Sequence, residues 1–222
     1  MTTFTTNSLS RSLGFGTLLM VLLAFTATPA TGQMNGVDFK PGVRAGVDFM
    51  TAGGDDAPDD ADRRTGFLAG AFVEVEFGGP FALQPELLYT QKGWSREGDV
   101  QGTTITSTVK LDYIEIPVLA KFQLPLGGPF SPSLFAGPAV GFNASAEREV
   151  EGGGQSQTND ISDQVSSTEF GLVFGVGGDF GIGAGTITVD ARYNLGLTSV
   201  DDTDADTSVS NQGFMITAGF AF

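Results

Sequence analysis

The sequence predicts an all-β fold, an eight-stranded antiparallel transmembrane up-and-down β-barrel, and three observations carry the prediction. Segment after segment alternates with period two, a continuous Phe-rich apolar face set against glycine, acid, base and amide. Long acidic connections alternate strictly with short Gly/Pro ones. Beyond residue 32 no apolar run approaches the roughly 20 residues that a spanning helix needs, so any crossing of a bilayer is built from strands.

The clearest element is the hairpin from Thr168 to Leu197. In its first arm Phe170, Leu172, Phe174, Val176 and Phe180 share one parity, against Glu169, Gly171, Gly175, Gly177 and Asp179, with Val173 the large apolar exception. Its second arm sets Ile187, Val189, Ala191, Tyr193, Leu195 and Leu197 against Thr188, Asp190, Arg192, Asn194 and Gly196. Lipid outside and a narrow polar lumen inside demand this sorting, because a closed sheet leaves no unpaired backbone group in hydrocarbon.

Taken in order, residues 1–32 carry one charge, Arg11, then an apolar run from Leu13 to Ala27 and small residues Ala30 and Gly32 before Gln33. This is the layout of a secretory signal, with an uncleaved anchor as the other reading, and it leaves 33–222 as the barrel. The first strand, Val37 to Met50, turns Val37, Phe39, Val43, Val47 and Phe49 to one side. The second, about Arg64 to Phe77, turns Glu74 and Glu76 inward. After G-G-P, the third runs from Phe81 to Trp94, with Gln84, Glu86, Thr90 and Lys92 on the inner face and Leu88 breaking the pattern. Residues 95–104 read as a polar loop.

In the fourth strand, even positions from Ile114 to Leu124 are apolar and Glu115 and Lys121 point inward. Upstream, at Ile105, Val109, Leu111 and Tyr113, the apolar parity is odd, which predicts a bulge near Tyr113 or a strand end projecting above the bilayer. The fifth strand runs from Phe130 to about Ala146, and the low-complexity stretch from Arg148 to Gln164 reads as a long mobile loop. The Thr168–Leu197 hairpin supplies strands six and seven. Strand eight carries Phe214, Ile216, Ala218, Phe220 and Phe222 on one parity and must pair with strand one to close the sheet.

Long connections follow strands one, three, five and seven, and short ones follow two, four and six, which places the long loops outside the cell and both termini in the periplasm. Aromatics sort into two girdles: Phe39, Phe77, Phe81, Phe122, Phe130, Phe180 and Phe222 near the short turns, and Phe49, Phe67, Tyr89, Trp94, Phe142, Phe170 and Phe214 near the long loops. Pro85, Pro117 and Pro138 lack the N–H that a closed sheet requires and predict local bulges. The 32 glycines, unusual in strands, fit close packing inside a small barrel.

The formal net charge is −15, most of it in polar stretches 51–63, 95–104, 147–166 and 198–211, and such a chain repels nucleic acid. With no Cys and no His, thiol nucleophiles, thiolate or imidazole metal sites and histidine acid–base chemistry are excluded.

G-V-R-A-G-V-D-F, L-Q-P-E-L-L-Y-T-Q-K-G, L-D-Y-I-E-I-P-V-L-A-K-F, S-L-F-A-G-P-A-V-G-F and D-A-R-Y-N-L-G-L, in that order over nearly all of 37–222, resemble the outer-membrane β-barrel domain family often called PorT-like or porin-family. The resemblance implies an outer-membrane location and an eight-stranded barrel, makes the in-strand prolines family features, and supplies no activity. It also makes the terminal aromatic strand, ending on Phe222, look like the signal read by the barrel insertion machinery.

The candidate site is the inward charge set Glu74, Glu76, Glu86, Lys92, Glu115, Lys121, Asp179, Asp190 and Arg192. An eight-stranded barrel is only just wide enough for its own side chains, so these charges are expected to pair and plug the lumen rather than line a transport path. Arg192 is expected to neutralise carboxylates such as Asp190 or Glu169. A paired-carboxylate hydrolase on Glu86 and Glu115 would need an open cleft, and nothing suggests one. D-D-A-P-D-D-A-D and D-D-T-D-A-D have acid density without the glycine and terminal glutamate of a calcium hand, which points to weak, nonspecific cation binding. No enzymatic activity and no cofactor are expected. The role these features point to is a structural or interaction protein of the outer membrane with acidic extracellular loops. Its rivals are porin-like passage of small solutes and a soluble lipocalin-like ligand barrel, the latter opposed by the charged minor face.

Overall fold

The computed structural model describes residues 36–100, 102–124, 126, 128–202 and 208–222. The expected signal segment, 1–32, lies outside them. Among the described residues nine strands follow one another: β1 (Asp38–Gly53), β2 (Asp62–Glu76), β3 (Phe81–Val100), β4 (Thr103–Gln123), β5 (Phe130–Gly152), β6 (Gln155–Asp160), β7 (Thr168–Gly181), β8 (Thr186–Gly196) and β9 (Ser210–Ala221). Every pairing between them is antiparallel, in the order β4-β3-β2-β1-β9-β8-β7-β5-β6, and an additional β4–β5 pairing closes a ring of eight. The last strand closes on the first from Gly42↔Ala221 to Gly53↔Ser210. Strands six, seven and eight of the sequence reading are β7, β8 and β9.

The alternation is realised as expected. Val43, Val47, Phe67, Leu87, Leu134, Phe174, Val176, Val189 and Ile216 are exposed on the outer face, while Arg44, Asp48, Glu86, Lys92, Glu115, Glu169, Asp190 and Arg192 are buried inside. Aromatic pairs mark the short-turn end, Phe81–Phe122 at 5.0 Å and Phe130–Phe180 at 4.6 Å between centroids, and Phe67–Tyr89 at 5.8 Å the other. Trp94 departs from its expected girdle position. It packs inward, against Val109, Leu111 and Ile161 on one side and Ala52, Val200 and Val209 on the other.

Two segments read as loops are strand. Residues 95–104 extend β3 and β4 into a hairpin that turns near Gly102, whose φ is 80°. The stretch from Arg148 to Gln164 is not a mobile loop over its first part: β5 runs to Gly152 and β6 returns along it, Glu147↔Asp160 through Gly152↔Gln155. Gly153 and Gly154, with φ 58° and 79°, supply the two positive-φ residues that a tight hairpin turn needs, so a glycine run that looks disordering makes a hairpin. Both extensions stand beyond the ring at the long-loop end as one four-stranded sheet, β3-β4-β5-β6.

Among the described residues the register shifts between Arg63 and Leu68 on β2 and at Asp112/Tyr113 on β4–β5. The second bulge lies where the parity argument puts it. The strand end also projects beyond the ring, and the inserted residue, Ala144, is on β5. The bulges expected at Pro85, Pro117 and Pro138 do not form. Rungs are missing beside each proline, for instance between Pro85↔Val118 and Leu88↔Glu115, yet the register is the same on both sides. A proline removes a donor without adding a residue, and the flanking rungs hold the strands in step.

Candidate functional site

The inward charges gather into three groups, whose order along the barrel can be read from the strands that carry them. Nearest the short turns, Lys121 Nζ on β4 lies 2.6 Å from Glu74 on β2 and 2.7 Å from Asp179 on β7. Gln123 donates to Glu74 at 3.0 Å. Glu76 is not part of this group: it pairs with Lys40 at 2.5 Å on the partly exposed rim.

The second group is a quartet. Arg192 on β8 forks onto both oxygens of Glu86 on β3, at 2.8 and 3.0 Å, and reaches Asp190 at 2.8 Å. Arg44 on β1 meets Asp190 at 2.6 Å and Glu86 at 3.4 Å, and Gln84 donates to Glu86 at 2.6 Å. Two guanidiniums face two carboxylates, all at most 4% exposed, so the quartet is neutral where an unpaired charge would be costly. Each guanidinium also lies over a phenyl ring, Arg44 over Phe72 at 4.4 Å and Arg192 over Phe135 at 5.2 Å. A side chain on Gly42 would run into the Phe72 ring and one on Gly175 into that of Phe135, which is why these inward positions carry glycine.

Farther toward the long loops, Lys92 on β3 lies 3.2 Å from Glu169 on β7 and 3.5 Å from Glu115 on β4, with its ammonium 5.2 Å from the centre of the Tyr113 ring. Asn211 donates to Glu169 at 2.9 Å and Thr90 to Glu115 at 3.4 Å. Asp48 is fully buried nearby.

Apolar side chains separate the second group from the third. Met50, Leu68, Leu88, Leu119, Phe135, Ala139, Val173 and Met215 form one buried cluster. On β3 its Leu88 falls between Glu86 and Lys92, and on β7 its Val173 falls between Asp179 and Glu169. Above the Lys92 group, Val109, Leu111, Tyr113, Ala146 and Ile161 form another.

Eight of the nine candidates that parity turned inward lie buried in the lumen, Glu76 lies at its rim, and Arg192 meets Asp190 as parity suggested. Parity assigned Glu169 as a possible partner of Arg192, whereas Glu169 belongs to Lys92. Arg44 was missed as the second cation of the quartet. Its parity was legible, but its partners on β3 and β8 are set by strand tilt across the lumen, which one strand does not reveal. Glu86 and Glu115 do not face one another as a hydrolase pair would, each being held by a different cation.

At the long-loop end two adjacent cavities, about 260 and 520 Å³, share Pro58, Trp94, Val109 and Arg148. The larger is lined by one face of the β3–β4–β5 extension. Sequence reading did not find it, because its lining comes from segments taken for loops. In the loop from 54 to 61, the Arg96 hydrogen bond holds the Asp60 carboxyl below the ordinary carboxylate range. Among the described residues no group of acidic side chains is arranged to hold a metal ion.

The sequence model of one family, the outer membrane protein beta-barrel domain, matches residues 30–202. The chain belongs to that family, its site is the outer membrane, and the apolar outer face is turned to lipid. No curated protein matches. Among solved structures, the chain is similar to Neisserial surface protein A, at 17% identity over 82% of this chain and 95% of that one, TM-score 0.47. It is also similar to Ail, the attachment invasion locus protein of Yersinia pestis, at 18% identity over 83% and 99%, TM-score 0.42. OprG from Pseudomonas aeruginosa shares 14% identity over 86% and 98%, TM-score 0.42.

Proposed function

We propose that this member of the outer-membrane β-barrel family is a non-conducting barrel that anchors an interaction surface, its long acidic loops and projecting sheet, on the outside of the cell. The observation that carries this reading is the buried quartet of Arg44, Glu86, Asp190 and Arg192 beside an apolar layer. A conducting path needs water and unpaired field lines along its length. Here each guanidinium is consumed by carboxylates, and Met50, Leu68, Leu88 and Met215 close the section next to them. The lumen acts as a plug that sets register and rigidity, with no enzymatic role for Glu86 or Glu115.

The test is reconstitution into planar bilayers. We expect no stepwise conductance from wild-type protein. Stepwise conductance of the wild type would overturn the reading in favour of porin-like passage.

Three finer statements belong to the same proposal. Residues 1–32 direct export and are removed before Gln33, which intact-mass measurement of the mature protein checks. The closing strand β9, with its aromatic pair Phe220 and Phe222 at 5.2 Å, is the segment handed to the insertion machinery. The acidic loops hold cations weakly and without a defined site. Orientation is tested by cysteine labelling on intact cells: Ser156→Cys in β6 should react with an impermeant reagent and Ala184→Cys in the β7–β8 turn should not.

A further inference from the structure

The four-stranded extension has two unlike faces. Pairing places Trp94 opposite Val109 and Arg148, and Arg96 opposite Ser107 and Val150, with Gly98 opposite Ile105. These residues, with Val100, form an apolar and basic face. The other face carries Glu97, Asp99, Thr104, Thr106, Thr108, Lys110, Glu147, Glu149 and Glu151, knit by Lys110–Glu149 at 2.6 Å and Ser156–Glu149 at 3.1 Å. In a chain of net charge −15, one face thus gathers two arginines.

The basic face is concave. With Pro58 and Asp60 opposite, it encloses the cavity of about 520 Å³, inside the range of roughly 300–1,000 Å³ usual for small-molecule sites. Of the two acids that border it, Asp60 is held by Arg96 at 2.8 Å, and Glu97 belongs by alternation to the opposite face. Arg148 is different. It lines both cavities, is exposed, and its guanidinium makes no ion pair or hydrogen bond among the described residues, although the surrounding protein is rich in carboxylates.

We propose that this cleft binds a small amphipathic monoanion: its carboxylate on the Arg148 guanidinium and its apolar body against Trp94, Val109, Ile105 and Val100. A guanidinium matches a carboxylate with two parallel hydrogen bonds, and an indole with β-branched neighbours accepts a flat or chain-like apolar group. One free guanidinium balances one negative charge. A polyanion would meet the field of the surrounding acids and is disfavoured.

Trp94 is the single tryptophan of the chain, so the site carries its own reporter. The full-length protein, folded in zwitterionic detergent micelles and checked by heat-modifiable mobility, is titrated with 4-phenylbutyrate while Trp94 emission is followed. The same titration is run with 4-phenylbutylamine, which has the same body and the opposite charge. We expect a saturable change with the acid, an apparent affinity about ten-fold weaker in Arg148→Gln, equivalent to 1.4 kcal/mol, and intermediate in Arg148→Lys. Lys110→Gln, on the opposite face, should titrate like wild type. The proposal is overturned if Arg148→Gln and wild type titrate alike, if the amine saturates as well as the acid, or if both responses are linear, as micelle partitioning would make them.

Discussion

Strand β4 passes through both the ring and the sheet beyond it, and the two regions sort the same alternation in opposite ways. Within the ring it turns Ile114, Ile116 and Val118 outward and buries Glu115 and Lys121. Beyond Tyr113 the buried side chains are Leu111 and Val109, while Thr106, Thr108 and Lys110 take the outer face. Odd-numbered residues point inward throughout, so the backbone does not change. What changes is the surrounding: lipid around the ring rewards apolar groups outside, and where the strands leave it, water restores the usual arrangement. The bulge that places Ala144 on β5 marks the boundary, shifting the inward parity of that strand from odd residues such as Phe135 and Ala139 to Ala146.

The difference can be broken most completely at the seam. Deleting Gly219–Phe222 removes the rungs from Gly42↔Ala221 to Arg44↔Gly219 that close the ring. We expect loss of outer-membrane protein with heat-modifiable mobility. Deleting the tip of the projecting hairpin, Glu151–Gln157, should leave that fraction unchanged. Normal insertion of the seam deletion would show that closure through β9 is dispensable.

Next in size is the removal of one charge from each region. Arg192→Leu strands Glu86 and Asp190 in the interior and should cost about 3–5 kcal/mol, read as a lowered urea midpoint in micelles. Lys110→Gln breaks a partly exposed pair with Glu149 and should cost less than about 1 kcal/mol. Equal midpoints for the two variants would mean that the quartet is solvated.

The outer faces provide a smaller and opposite test. Phe174→Arg puts a cation among lipid tails from the middle of β7, for about 2–4 kcal/mol. Thr106→Arg, on the outer face of the sheet beyond the ring, should stay within about 0.5 kcal/mol. A Thr106→Arg cost as large as that of Phe174→Arg would place the extension inside the bilayer.

The smallest effect concerns the Arg96–Asp60 contact that pins the 54–61 loop to the sheet. Because the folded-state pKa of Asp60 is lowered, the contact contributes above the unfolded value and is lost as the pH falls through the folded one. Acidification to below the ordinary carboxylate range should shift the backbone amide resonance of Ala61, Asp60→Asn should reproduce that shift at pH 7, and mobility on gels should not change.

Alternation, connection lengths and the aromatic ends were enough for the sequence by itself to determine a closed eight-stranded barrel in a membrane, with Glu74, Glu86, Lys92, Glu115, Lys121, Asp179, Asp190 and Arg192 on its inner wall. These are properties of single strands, and a period of two is visible within one strand. Only the tertiary structure decided which charges meet. Arg44 finds Glu86 and Asp190, and Lys92 rather than Arg192 takes Glu169, because tilt and closure bring residues from β1, β3, β7 and β8 to one level. The sheet beyond the ring was hidden for a related reason. Its polar outer face and paired glycines read as loop until β5 and β6 lie side by side, and Arg148 with Trp94 becomes a cleft only when three strands and the 54–61 loop surround it.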